Sequence, residues 1–456
     1  MPIARCLLAF AAVLGAQDLP KGQLVEKVTC SGEAGQSYAL YLPSSYVADR
    51  EWPILYCFDP AARGRVPVER FREAAERYGY IVAGSNNSRN GPFEVSLAAM
   101  NAVWRDTHTR FAIDSRRVYA AGFSGGARVA CAMGLAGGLL AGVIAASGGF
   151  PEGDLPSAIP FAFFGTAGTD DFSRSELKQL DGDLDRLGVP HRVVVFEGGH
   201  DWPASALAAE ALEWLEIQAM RAGRRAKDDA LLEAVFRKRL AEAEGLEAAG
   251  KLPEAWSGYA ALAADFRGLL EVAALEKKAA ELQGSKSVKA FLRREEEQER
   301  RRQDLEGELS RDYEALGEPL QQAASLAALR IYIARLRKNA DAKADSSERR
   351  LARRVLGGLY IRAYEEAQHL LAQKSYLTAA VKLELAAAIR PDRPQVLYGL
   401  ARAWAQAGEK KKALEALKRA VAAGFNDAAR LEEDAAFQPL RGEAGFQKLL
   451  GAIKGG

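Results

Sequence analysis

The sequence predicts an α/β domain built on a mostly parallel sheet, followed by an all-α domain of stacked helices. Two observations carry this. Short apolar runs alternate with helical stretches up to Met220, whereas beyond it apolar residues recur only at helical spacing. Twelve of the 17 prolines and 24 of the 42 glycines also lie in that first part, as a fold with many turns requires. The charge divides at the same place. There are 19 basic and 25 acidic residues up to Met220, against 43 and 35 after it, and the formal net charge of +2 hides this split. With 48% hydrophobic residues over 456 positions, a large core is available and global disorder is excluded. The near-neutral balance excludes a chain built as a whole to coat nucleic acid or an anionic membrane.

Taken in order, the chain opens with MPIARCLLAFAAVLGAQ, one cation followed by an apolar run from Cys6 to Ala16. That run is shorter than the ~20 residues needed to span a bilayer. It has the form of a secretory signal cleaved after Ala16, which predicts an exported protein, periplasmic or secreted. No later stretch is apolar for long enough to be a membrane helix. Removing the signal leaves Cys30, Cys57 and Cys131, so at most one bridge forms, and Cys30–Cys57 is the expected pair. No Cys or His spacing indicates a metal site.

Strands are expected at 24–30, 36–42, 53–58, 80–85, 117–121, 142–147, 160–165 and 192–196, the first two as an antiparallel edge pair. Helices are expected at 67–78, 93–109, 125–134, 173–187 and 204–219. ILYCF, VYAAG and VVVF are apolar at every or nearly every position, as strands covered by helices on both faces must be.

Between an expected strand and an expected helix, Gly122-Phe123-Ser124-Gly125-Gly126 matches G-x-S-x-G. A serine in so tight a turn is lifted above the sheet, at a helix N-terminus whose dipole favours negative charge. It needs a base, and only four histidines exist. His200, in FEGGHDWP just after a strand, belongs to a loop on the same sheet edge as Ser124, where ligands bind in such folds. His108, His191 and His369 fall late in a helix, at the start of a strand and in the second half. The acid that orients the imidazole is expected in GTAGTDDFSRSEL, where Asp170 and Asp171 are both available.

The elbow, GT..DDF and GGHDW motifs together resemble the α/β-hydrolase superfamily, over residues 20–220. The likeness is close to its esterase D, feruloyl esterase and polyhydroxyalkanoate depolymerase-like branches. Asp171-Phe172-Ser173 resembles the D-F-N segment of related esterases, which favours Asp171 over Asp170. The resemblance implies a Ser124, Asp171, His200 triad that hydrolyses carboxylic esters with no cofactor. One departure stands out. Relatives carry H-G-x-G after the third strand, as part of the oxyanion hole. This chain reads Cys57-Phe58-Asp59-Pro60-Ala61-Ala62-Arg63-Gly64, so the donor becomes the amide of Ala61 or Ala62, paired with that of Gly125. Asn86, Asn87 and Arg89, in the neighbouring SNNSRNG loop, are candidate substrate contacts, and such residues are also what loops are made of. The short segment between the strands at 142–147 and 160–165 leaves no room for a large lid.

From Ala219 onward the chain reads as helices, a loose region at 225–350 and clearer repeats at 355–456. Ala379, Leu383, Ala386 and Pro391 correspond to Ala413, Leu417, Ala420 and Phe425, a 34-residue period resembling the tetratricopeptide repeat. That resemblance implies a protein or peptide partner. Phe291–Leu309 interleaves both charge signs, which predicts a long solvated helix rather than a nucleic-acid patch. The alternative to an exported esterase acting on a small-molecule, glycan or lipid ester is an interaction module with a weak or silent hydrolase domain. A peptidase or acyltransferase would use the same triad.

Overall fold

The structure, a computed structural model, describes residues 19–318 and 320–455. The expected signal at 1–16 lies outside the described residues. The strands are β1 (Leu24–Thr29), β2 (Ser37–Tyr41), β3 (Trp52–Phe58), β4 (Ile81–Ser85), β5 (Ile113–Phe123), β6 (Gly142–Ala146), β7 (Ala162–Gly168) and β8 (His191–Phe196). Helices α1 (Arg65–Tyr78), α2 (Phe93–Arg110), α3 (Gly125–Leu135), α4 (Arg174–Leu187) and α5 (Ser205–Arg221) alternate with them. The sheet runs β1-β2-β4-β3-β5-β6-β7-β8. β1 and β2 are antiparallel to their neighbours, and the other pairings are parallel.

Strand periodicity sorts the side chains between two layers. Ile54, Tyr56 and Phe58 of β3 join Val118 and Ala120 of β5 under α2, α3 and α4. Leu55 and Cys57 join Tyr119, Ala121 and Phe123 under α1 and α5. This explains why the expected Cys30–Cys57 bridge is absent. Cys30 is buried in the first layer and Cys57 in the second, and all three described cysteines are free thiols. Burial raises each thiol, Cys30 to about 12, so none is a ready nucleophile.

Three helices follow: α6 (Asp229–Ala248), α7 (Leu252–Phe266) and α8 (Ala273–Gly284). They belong with the sheet, and the chain divides between Arg293 and Arg294 rather than near Met220. The reason lies on α5. Its Ile217 and Met220 are apolar and pack with Leu232, Val235, Tyr259, Leu262 and Phe266. Asp265 of α7, 2% exposed, accepts from Trp214 Nε1 of α5 at 2.6 Å, Arg239 of α6 at 2.6 Å and Arg192 of β8 at 3.2 Å. A charge this deep is held only because three donors meet it.

The divide falls inside α9 (Lys286–Glu314), the charged helix, where Arg302 pairs with Glu299 at 2.6 Å and with Glu306. Beyond it come α10 (Gln322–Ala340), α11 (Ser347–Ala372), α12 (Tyr376–Ile389), α13 (Pro394–Gln406), α14 (Lys410–Ala422), α15 (Ala428–Glu433) and α16 (Ala444–Gly455). The repeat positions Ala379, Leu383, Ala386, Ala413, Leu417 and Ala420 are all fully buried between α12, α13 and α14. No helix among the described residues is long and apolar enough to cross a membrane.

Candidate active site

Parallel register brings the C-terminal ends of the central strands to one edge: Phe58 pairs with Gly122, Ala146 with Thr166 and Phe196 with Gly168. The loops that follow β3 to β8 therefore emerge together, and they hold every candidate site residue.

Ser124 sits between β5 and α3 with φ 53° and ψ −120°, a conformation that costs a non-glycine residue about 1–3 kcal/mol. The surroundings impose it. The Ser124 amide donates to Ala146 O at 2.8 Å, which fastens the turn to β6. A Cβ on Gly122 would lie 1.9 Å from Gly126 O, and one on Gly126 would lie 2.1 Å from Phe58 O. Both glycines are thus required by backbone packing and not only by turn propensity.

His200 and Asp171 meet. His200 Nδ1 is 2.9 Å from Asp171 Oδ1, which also accepts from the Ser173 amide at 2.9 Å. With Nδ1–H donated to the carboxylate, Nε2 keeps its lone pair. Asp171 is fully buried. Burial pushes its carboxyl up, but the His200 hydrogen bond and charge, with the Ser173 amide, hold it below its ordinary value. Phe172 stacks on the imidazole at 4.3 Å and Phe123 tilts against it at 4.8 Å, so two aromatic faces restrict the ring. Asp170 does not join this pair. Its amide donates to Gly198 O at 2.8 Å and ties the loop after β7 to the loop after β8.

The loop after β3 is organised by Asp59, whose role the sequence did not reveal. Its buried carboxylate accepts from the Ala61 amide (2.9 Å), from Arg63 Nε and Nη2 (2.9 Å each) and from Trp202 Nε1 (2.9 Å). The Ala62 amide donates to Asp59 O at 3.1 Å. Both amides expected as oxyanion donors are therefore committed within their own loop. This corrects the expectation for Ala61 and Ala62: the buried Asp59 carboxylate takes the Ala61 amide and the Asp59 carbonyl takes the Ala62 amide. The Gly125 amide opens α3, where N–H groups lack intrahelical partners.

Asn86 and Asn87 also depart from the expectation of substrate contacts. Asn86 Nδ2 donates to Glu26 O at 3.0 Å, while Asn87 accepts from the Ser37 amide at 2.9 Å and donates to Gly35 O at 3.0 Å. Their carboxamides fasten the β1–β2 hairpin, whose edge carbonyls need donors. Arg89 is exposed, and its backbone pairs with Ala61 in an isolated antiparallel bridge. Of the other histidines, His108 stacks on Trp104 at 4.1 Å and His191 faces Asp181 at 3.3 Å, both in the α/β unit without contact to Asp171. Among the described residues, no group of three His, Cys, Asp or Glu side chains converges to hold a metal.

The N-terminal part is thus a mostly parallel sheet flanked by helices, and the tetratricopeptide repeat family model matches residues 370–432. Among solved structures the chain is similar to a ferulic acid esterase (18% identity, TM-score 0.36), covering 42% of this chain and 97% of that one. It is also similar to an S-formylglutathione hydrolase from Staphylococcus aureus (14%, TM-score 0.34), covering 43% and 98%. A carboxylesterase from Bacillus cereus is similar over 41% of this chain and 95% of its own (17%, TM-score 0.34). No curated protein matches the sequence.

Proposed function

We propose that the chain is an exported serine hydrolase that cleaves carboxylic esters through an acyl-enzyme, with a helical half that holds a protein or peptide partner. The observation that carries this reading is the His200–Asp171 hydrogen bond, made by a fully buried, ionised carboxylate on the same sheet edge as the strained Ser124. Ser124 Oγ attacks the acyl carbon, its proton passes to His200 Nε2, and the carbonyl electron pair moves to oxygen. Asp171 remains ionised and stabilises the imidazolium. When the oxyanion collapses, the carbon–oxygen bond to the alcohol breaks and His200 returns the proton to the departing oxygen. Water then attacks the acyl-enzyme by the same route and releases the acid.

A fluorophosphonate probe and a panel of p-nitrophenyl esters test this. Wild-type protein should be labelled at Ser124 and turn esters over, while Ser124→Ala should lose labelling and ~10⁴-fold or more in kcat. Absence of wild-type labelling, under conditions that label a control hydrolase, would overturn it. One observation favours a second reading. With the Ala61 and Ala62 amides committed to Asp59, a silent hydrolase scaffold that serves the helical half predicts that same absence of labelling. Export is tested separately, by whether protein recovered from the periplasm or medium begins at Gln17.

A further inference from the structure

The sheet edge opposite Ser124 holds a cavity of about 330 Å3, at the lower end of the ~300–1,000 Å3 that small-molecule sites occupy. It lies where β6, β7 and β8 begin, and the C-terminal end of α5 lines it too. Ile159, Phe161, Ala162 and Pro190 give it apolar walls.

The polar groups around this cavity are unevenly used. Its backbone acceptors are taken: Ala141 O accepts from the Ala162 amide at 3.1 Å and Pro190 O from the Phe163 amide at 2.9 Å. Ala219 O accepts from the Arg224 and Arg225 amides at 2.8 and 3.2 Å. Among the described residues, no acidic side chain lines the cavity. The donors are not used up. Gln218, 6% exposed, accepts through Oε1 from Arg221 Nη2, which is anchored in turn on Asp265 O at 3.2 Å. A guanidinium only donates, so the carboxamide oxygen must face Arg221 and the nitrogen must take the other position. There Gln218 Nε2 is buried with no hydrogen-bond partner among the described residues. Leaving a buried donor unmade is costly, so such a group calls for an acceptor. Arg224 lines the same side and donates to Arg116 O through Nη1 at 3.3 Å, which leaves Nε and Nη2 for a second acceptor.

We propose that this cavity binds a small apolar carboxylic acid as its anion, at a site separate from Ser124. The apolar walls take the body of the ligand. Gln218 Nε2 and the Arg224 guanidinium take the carboxylate, and Arg221 holds the Gln218 carboxamide in the required orientation. A neutral alcohol of the same shape would supply a weaker acceptor and no charge, so the site selects the acid. Nothing in this inference depends on the chemistry of Ser124.

The test is calorimetric titration of the full-length protein with naphthoate, and with naphthylmethanol as the neutral counterpart. Naphthoate should bind saturably and the alcohol at least tenfold more weakly. Gln218→Leu should raise the naphthoate Kd ~10-fold, the size of one hydrogen bond to a charged group. Arg224→Ala, nearer to solvent, should raise it ~3-fold. Ala222 is an exposed lining residue, so Ala222→Trp should fill the cavity from outside and abolish binding. Without ligand, Gln218→Leu should melt no lower than wild type, because it removes a donor that has no partner in the protein. No saturable binding of naphthoate to wild type would overturn the proposal. So would equal affinity for the alcohol, or a naphthoate affinity that Gln218→Leu and Ala222→Trp leave unchanged. A lowered melting temperature for unliganded Gln218→Leu would show that the amide is already satisfied, and would overturn it as well.

Discussion

Asp59 shows how one residue can set the chemistry of a loop. Its carboxylate is fully buried and meets four donor atoms from Ala61, Arg63 and Trp202. Asp59→Ala would leave the Trp202 indole N–H buried without an acceptor and free the Ala61 amide. Its expected cost is ~2–4 kcal/mol, read from the denaturant midpoint. A loss below about 0.5 kcal/mol would mean that water replaces the carboxylate. The candidate nucleophile and base were legible in the sequence because each lies in a short motif whose spacing is local. Asp59 was not, since its indole partner lies 143 positions away. Asn86 and Asn87 were misread for a related reason. Their residue type predicts hydrogen bonding, but only the position of the β1–β2 hairpin decides with what.

At the scale of elements, strand and helix order was legible almost throughout, because apolar runs without alternation mark strands covered on both faces. The ends were not. β5 begins at Ile113, ahead of the expected start at Arg117, although Asp114 and Arg116 look like a loop. Asp114 accepts from the Arg116 amide at 3.0 Å and from Arg117 Nε at 2.7 Å, so the polar stretch satisfies itself within the strand. Gly126→Ala tests the packing of α3 on β3. With Phe58 O only 2.1 Å from the new methyl, the helix must shift, and the expected result is a loss of ~2 kcal/mol or more together with lost fluorophosphonate labelling. A melting temperature equal to wild type would contradict it.

The join of α4 and β8 responds to pH. Burial pulls the His191 pKa down, but Asp181 and the Val189 carbonyl outweigh that and leave it raised. A raised base binds its proton more tightly when folded. Its contribution is therefore complete below pH ~6.5 and disappears as pH rises through the raised value. Asp181 is half exposed, so Asp181→Asn should cost only ~0.5–1 kcal/mol at pH 5.5 and almost nothing at pH 9. Equal costs at the two pH values would remove His191 from the account.

For the whole molecule, the shift in composition at Met220 proved a poor guide to where the chain divides. Charge and glycine content change there, but the apolar face of α5 and the buried Asp265 commit α6 and α7 to the sheet. A chain ending at Gly223 would expose Ile217 and Met220 and leave Arg192 and the Trp214 indole without Asp265, a loss of ~3–5 kcal/mol. One ending at Arg293 keeps all of these contacts. Soluble yield and thermal melting should therefore favour the longer truncation clearly, and the opposite ranking would refute the role given to Asp265. The core beyond Arg293 shares no residue with the cores before it, among the described residues. Denaturation followed by ellipticity and by ester turnover should accordingly give two midpoints, and a single shared midpoint would show that the cores melt together. Under the proposed function, a preparation could then lose much of its helix and keep its ester turnover. Quality judged by turnover alone would overlook damage to the helical half.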